Sequence, residues 1–178
     1  MNLFQDSLST PSVKELYVSP CKPLEACKYN ELWHSRLPKI HWSNVVRNKH
    51  YICYRATHEE KVYAVAIWSS PVARFHDYDT ILELRRLAIL DESPFNTASY
   101  MLSKMIKDIR KRFPMIRRLI SYQDTEVHTG TIYKASNWNA TFYSRRKGKH
   151  WGTRQRNEEQ TKVDKIRWEY FIASKEAE

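Results

Sequence analysis

The 178-residue chain has only three glycines, and all of them (Gly130, Gly148, Gly152) lie in its last third. That excludes a Gly-rich phosphate loop or a Gly-x-Gly-x-x-Gly turn anywhere before residue 130, and no Gly-x-Ser-x-Gly elbow occurs either. Cysteine is almost as scarce. Cys21, Cys27 and Cys53 are odd in number and contain no Cys-x-x-Cys pair, which argues against a disulfide framework and against a structural zinc site. No apolar run approaches the roughly 20 residues of a membrane span. The N-terminal MNLFQDSLSTPSV lacks the basic-then-apolar order of a signal peptide. The expectation is a soluble protein of a reducing cytoplasm, with no membrane partner.

Acid is missing regionally. From Leu32 to His58 there is no Asp or Glu, whereas Arg36, Lys39, Arg47, Lys49 and Arg55 are present. From Val127 to Asn157 there is again none, against Lys134, Arg145, Arg146, Lys147, Lys149, Arg154 and Arg156. Together these cations exceed the net charge of +10 of the whole chain. Aromatic residues are interleaved with them: Trp33, Trp42 and Tyr51 in the first window, Tyr133, Trp138, Phe142, Tyr143 and Trp151 in the second. Unopposed cations neutralise phosphates and rings stack on bases, so the pattern points to nucleic acid, with a merely solvating basic face as the alternative.

What is present is a folded composition, 42% hydrophobic and 13% aromatic, at a length suited to one domain. The expected domain spans residues 14–174, between a flexible segment 1–13 and a short tail 175–178. A strand is expected near Glu15–Val18 and a helix over Leu24–Trp33. Strands at Tyr51–Ala56 and Val62–Trp68 would form a hairpin across His58-Glu59-Glu60. The near-continuous VYAVAIW reads as a central strand covered on both faces.

The stretch Leu82–Trp138 reads as strand, polar turn, basic helix, strand and short helix. Leu82 and Leu84 fall on even positions but Leu87 and Ile89 on odd ones, which requires a β-bulge near Arg85-Arg86. In the turn DESPFNTAS, Ser93 or Asn96 is expected to cap the next helix, and Pro94 suits its first position if Ser93 does so. Ala98, Met101, Leu102, Met105, Ile106, Ile109 and Phe113 form that helix's buried stripe. The N–H groups of Asn96, Thr97, Ala98 and Ser99 would face a phosphorylated ligand. In the final helix, His128–Asn137, Ile132 and Ala135 are expected inward and Tyr133 on the polar side. Tyr133 would then meet Asp124, at the end of the preceding strand, as a proton-transfer pair across a cleft. His41, His50, His58, His76 and His150 show no ligand spacing and read as surface or supporting residues.

The segments LWHSRLP, LELRRLAILDESPFNTASY, SYQDTEVHTGTIYKASNW and KIRWEYF resemble phage DNA-modification proteins of the Mom type, a divergent branch of the GNAT acyltransferase fold. The resemblance implies an α/β fold: a central mixed, mostly antiparallel sheet with flanking helices and a bulged strand near Arg85. It implies an enzyme that alters the N6 amino group of adenine in double-stranded DNA by carbamoylmethylation, blocking restriction. His34, Asp124 and Tyr133 become the reactive set. Glu83, Arg86, Ser121 and Tyr122 line the slot, and Arg86 with Asn96–Ser99 meets the donor, acetyl-coenzyme A or another small molecule. Iron is a further implied group, for which His34, Tyr122 and Asp124 are candidate ligands. Arg36, Lys39, Arg145, Arg146, Lys147, Lys149, Arg154 and Arg156 would contact DNA, and Trp33, Trp42, Tyr122 or Trp138 would stack an extruded base. PFNTAS carries no glycine where GNAT enzymes usually have several, so a diphosphate cannot approach as closely as at a Gly-rich turn, which leaves a rearranged or weaker mode of binding. Two alternatives stay open: an ordinary acetyltransferase acting on tRNA or protein amines, and a DNA-binding protein without catalysis.

Overall fold

Seven strands form one sheet in the order β1-β2-β3-β4-β5-β7-β6 in the computed structural model, which describes residues 10–33, 38–73, 76–144 and 164–172. The strands are β1 (Tyr17–Cys21), β2 (Tyr51–His58), β3 (Lys61–Ser69), β4 (Ile81–Ile89), β5 (Arg118–Asp124), β6 (Asn139–Ser144) and β7 (Lys165–Phe171). Every neighbouring pair is antiparallel except β4–β5. The helices are α1 (Pro23–Trp33), α2 (Trp42–Val46), α3 (Thr97–Arg112) and α4 (Thr131–Ala135). No helix among the described residues is long and apolar enough to cross a membrane.

The two faces of β3 explain its continuous apolar run. Ala64, Ala66 and Trp68 join the larger core beneath α3, with Tyr54, Leu82, Leu84, Met101 and Leu119. Val65 and Ile67 face the smaller core under α1, with Ala26, Cys27, Val45, Cys53 and Ala88. Each large side chain buried this way contributes about 1.5–3 kcal/mol. Two polar groups inside the larger core are partnered: the Trp68 indole N–H points at Met105 Sδ (3.2 Å), and the Tyr54 hydroxyl donates to Asp108 Oδ2 (2.9 Å). The three cysteines are free, and burial pushes the Cys21 thiol up to about 12.

The bulge expected in β4 is present. Arg86 pairs with Ile67 and Leu84 with Trp68, which leaves Arg85 as the extra residue. The buried stripe of α3 also falls where its periodicity places it, and Phe113 is half-buried at its end. Other expectations need correction. The first strand starts later, because Ser12 and Glu15 form a capping box that holds Val13–Glu15 in a 3-10 turn. Neither Ser93 nor Asn96 caps α3 through its side chain: Ser93 Oγ donates to the Tyr63 carbonyl instead, and Asn96 adopts a left-handed φ of 67°. The α2 helix and β6 were not apparent from the sequence. In the last helix only Thr131–Ala135 is helical; Ile132 packs against the core as expected, but Ala135 is exposed and the fully inward residue is Tyr133. A five-residue helix is too short for a stripe, so the bulkiest ring takes the interior.

The β2–β3 hairpin joins His58 to Lys61 through Glu59 and Glu60, at φ 46° and 67°. Both residues occupy the left-handed region that a two-residue hairpin turn demands and that glutamate disfavours. Replacing Glu59-Glu60 with Asn-Gly is expected to raise stability by about 1 kcal/mol, read as a higher midpoint in urea unfolding.

Candidate active site

Strands β4 and β5 pair over only four positions, Ile81–Leu84 against Arg118–Ser121. Beyond them β4 follows β3 and β5 follows β7, so the two strands part at the Arg85 bulge. A strand with a bulge bends away from its partner, and the result is a V-shaped opening whose closed end is Leu84 and Ser121.

On the α3 side, Ser121 Oγ lies 3.3 Å from the Leu84 carbonyl and 2.8 Å from the Tyr133 hydroxyl. The carbonyl can only accept, so the Ser121 proton goes to Leu84 and the Tyr133 proton goes to Ser121. Tyr133 is 7% exposed, stacked on Trp168 (centroids 5.3 Å apart, planes at 16°) and flanked by Trp138. Burial raises its phenol pKa, with the Ser121 bond pulling the other way, so the hydroxyl keeps its proton at neutral pH. The surroundings fix this ring. Trp168 Nε1 donates to Gln123 Oε1 (2.6 Å), and Gly130 enters α4 at φ 73°. A Cβ at Gly130 would stand 2.6 Å from both Gln123 Oε1 and Trp168 Cζ2, so the bare backbone is required there.

The α1 side of the same strands is polar. Glu83 is buried, and its Oε2 accepts from the Val72 N–H (3.0 Å), while Arg85 Nε lies 3.9 Å from Oε1. Burial raises its carboxyl pKa against the downward pull of that N–H and of Arg85 and Arg86. The Tyr122 hydroxyl meets His76 Nε2 (3.2 Å), and its pKa is raised by burial and then by Glu83, with Arg167 opposing. Arg86 donates to the carbonyls of Arg85 (2.7 Å) and Pro38 (3.2 Å), and its buried Nε has no partner.

The Tyr133–Asp124 pair does not form. Strand alternation puts Ser121 and Gln123 toward Tyr133 and Trp168, and Tyr122 and Asp124 toward the opposite face. Asp124 Oδ1 instead accepts the Glu126 N–H (2.9 Å) in the turn after β5. At the turn before α3, Thr97 N–H bonds to the Pro94 carbonyl and Tyr100 N–H to that of Asn96. The N–H groups of Ala98 and Ser99 stand at the open helix end, and Phe95, 88% exposed, heads the turn. Among the described residues no group of three or more His, Cys, Asp or Glu is arranged to hold a metal ion. His34 and Arg36 lie outside the described residues, as do Arg145, Arg146, Lys147, Lys149, Arg154 and Arg156. Of the other first-window cations, Lys39 pairs with Glu31, Lys49 with Asp79 and Arg55 with Glu25. Trp138 is core, so it is not free to stack a base.

Sequence reasoning missed Gln123, Trp168 and the buried Glu169. The signal was the alternation of KIRWEYF, which places a glutamate at an interior position of a strand.

Residues 31–177 match the Mom protein family. The chain belongs to that family. No curated protein matches it. Its fold is that of the GNAT acetyltransferases. The ribosomal-protein-S18-alanine N-acetyltransferase of Escherichia coli aligns at 16% identity with a TM-score of 0.62, over 92% of this chain and 99% of that one. A putative acetyltransferase from Salmonella typhimurium, solved with acetyl-CoA, aligns at 10% identity and 0.63, over 92% and 97%. A Bacillus subtilis acetyltransferase solved with CoA aligns at 11% and 0.61, over 89% and 99%.

The raised pKa of Glu83 has a defined sign. Below its ordinary value of 4.5 the carboxyl is protonated in both folded and unfolded chains. As pH rises from there through the raised folded value, the unfolded chain ionises first and stability falls. Glu83→Gln lacks that loss. It is expected to unfold at higher temperature than the native chain near about pH 7, with the gain disappearing below about pH 4.5.

Proposed function

We propose that the chain is a transferase that carbamoylmethylates the exocyclic N6 amino group of adenine in DNA, drawing on a small-molecule donor of the coenzyme A class held in the β4–β5 opening. The observation that carries this reading is the hydrogen-bonded line Tyr133–Ser121–Leu84 at the closed end of that opening. Family membership supports the DNA substrate, and the neighbours solved with acetyl-CoA or CoA support the donor class.

The residues fit such a donor. Asn96 takes the left-handed conformation that a glycine would supply, so the Ala98 and Ser99 N–H groups are presented without a Gly-rich turn. Phe95 offers a ring at the mouth, and Arg86 sets a guanidinium charge beside the bulge. For this product the donor must carry the carbamoylmethyl group on sulfur through its saturated carbon. N6 attacks that carbon as the C–S bond breaks and the thiolate leaves, whereas an acyl thioester would leave a carbonyl on N6. Tyr133, kept protonated by burial, would hand its proton to that sulfur, while Ser121 keeps its bond to the Leu84 carbonyl. The adenine amine is a weak nucleophile because its lone pair is shared with the ring. Glu83, a carboxylate with a raised pKa on the opposite face, suits the removal of its proton. In this reading His34, Tyr122 and Asp124 line the acceptor side, and Arg36, Lys39 and the cations from Arg145 to Arg156 track the phosphates.

A second reading, N-acetylation of a protein or tRNA amine, is favoured by the S18-alanine acetyltransferase among the structural neighbours. Weighing the nucleosides of DNA from cells that make the chain separates the two. The native chain should yield a heavier adenosine. Tyr133→Phe should cut that yield by about 100-fold or more while costing no more than about 1.5 kcal/mol of stability, since Ser121 retains Leu84. Unmodified adenosine alongside newly acetylated protein or tRNA would refute DNA modification.

A further inference from the structure

The α1-side face of the sheet continues beyond the opening as a row of side-chain contacts across three strands. The Tyr122 hydroxyl meets His76 Nε2, Tyr122 is opposite Arg167 in the β5–β7 register, and Arg167 is opposite Phe142 in the β7–β6 register. The Arg167 guanidinium carbon lies 5.5 Å from the centre of the Phe142 ring. Strand spacing sets Tyr122 and Phe142 about 10 Å apart, with the cation between them.

Two observations say what this row is for. Phe142 is 53% exposed, on a strand whose six residues are all exposed, so its ring is not there to fill a core. The charge is also unbalanced. The buried Glu169 is shared by Arg118 (3.4 Å) and Arg167 (2.8 Å), one carboxylate against two guanidiniums. His76, its pKa lowered by burial and then by those two arginines, adds no charge of its own at neutral pH. The sequence continues from Ser144 into Arg145-Arg146-Lys147. A flat ring, a surplus cation and a second ring in line match the alternation of base, phosphate and base along a nucleic-acid strand.

We propose that Tyr122, Arg167 and Phe142 form a platform for the DNA strand that carries the target adenine. The base entering the opening packs on Tyr122, the adjoining phosphate meets Arg167, and the next base stacks on Phe142. This rests on the function proposed above and locates its substrate. Of the candidate stacking rings Trp33, Trp42, Tyr122 and Trp138, it selects Tyr122; Trp138 is buried.

The test is fluorescence anisotropy with a labelled DNA duplex carrying one unpaired adenine, run on the full native chain, Phe142→Ala and Phe142→Trp, with thermal unfolding as the folding control. Phe142→Ala should bind roughly 5- to 150-fold more weakly at unchanged unfolding temperature, and Phe142→Trp should restore the native affinity. Equal binding by Phe142→Ala, with the native chain binding and modifying DNA, would overturn the platform and leave the function standing. A native chain that does not retain the duplex would overturn both.

Discussion

Everything at this site follows from how early β4 and β5 stop pairing. The two strands run parallel, and four residue pairs hold them before the Arg85 bulge turns β4 toward β3. A sheet that stayed paired would bury Leu84 and Ser121 in a continuous ladder. Here the Leu84 carbonyl is left to a side chain, and Ser121 brings Tyr133 to it. The core beneath α3 braces β4 on one side of the break, through Leu82 and Leu84 against Met101 and Leu102. On the other side, β5 is braced by seven residue pairs with β7. The opening therefore sits between two rigid halves, and its shape does not depend on a loop.

The faces of the opening differ in chemistry because strand alternation sorts their residues. Toward α3 lie Tyr133, Trp168 and Trp138, a dry aromatic enclosure that keeps a phenol protonated. Toward α1 lie Glu83, Tyr122, His76 and the arginines gathered about Glu169. A proton donor buried among rings and a carboxylate with raised pKa, separated by the sheet itself, suit a reaction in which one group leaves and another sheds a proton.

Much of the fold was legible from hydrophobic period alone. The parity switch between Leu84 and Leu87 located the bulge, VYAVAIW identified the central strand, and the stripe from Ala98 to Ile109 laid out α3. The site was legible only in part. Ser121 and Tyr133 were picked out, but Tyr133 was assigned the wrong side of its helix and the wrong partner. That error has a physical source: the segment from His128 to Asn137 holds a single helical turn, and cross-strand neighbours, not helical period, decide which ring turns inward. The Gln123–Trp168 bond and the Gly130 turn that enforce the choice join residues distant in sequence. Asn96 was read as a side-chain cap, whereas its use is a backbone conformation that sequence pattern does not reveal.

The central claim is that the β4–β5 opening receives a coenzyme A-type donor with its sulfur at Tyr133. Mapping backbone amide chemical shifts while coenzyme A is added tests it most directly. The account predicts that the perturbed amides cluster at Leu84–Arg86, Ala98–Ser99, Ser121 and Tyr133. Unperturbed spectra, or shifts confined to the β1–β2 edge of the sheet, would contradict it.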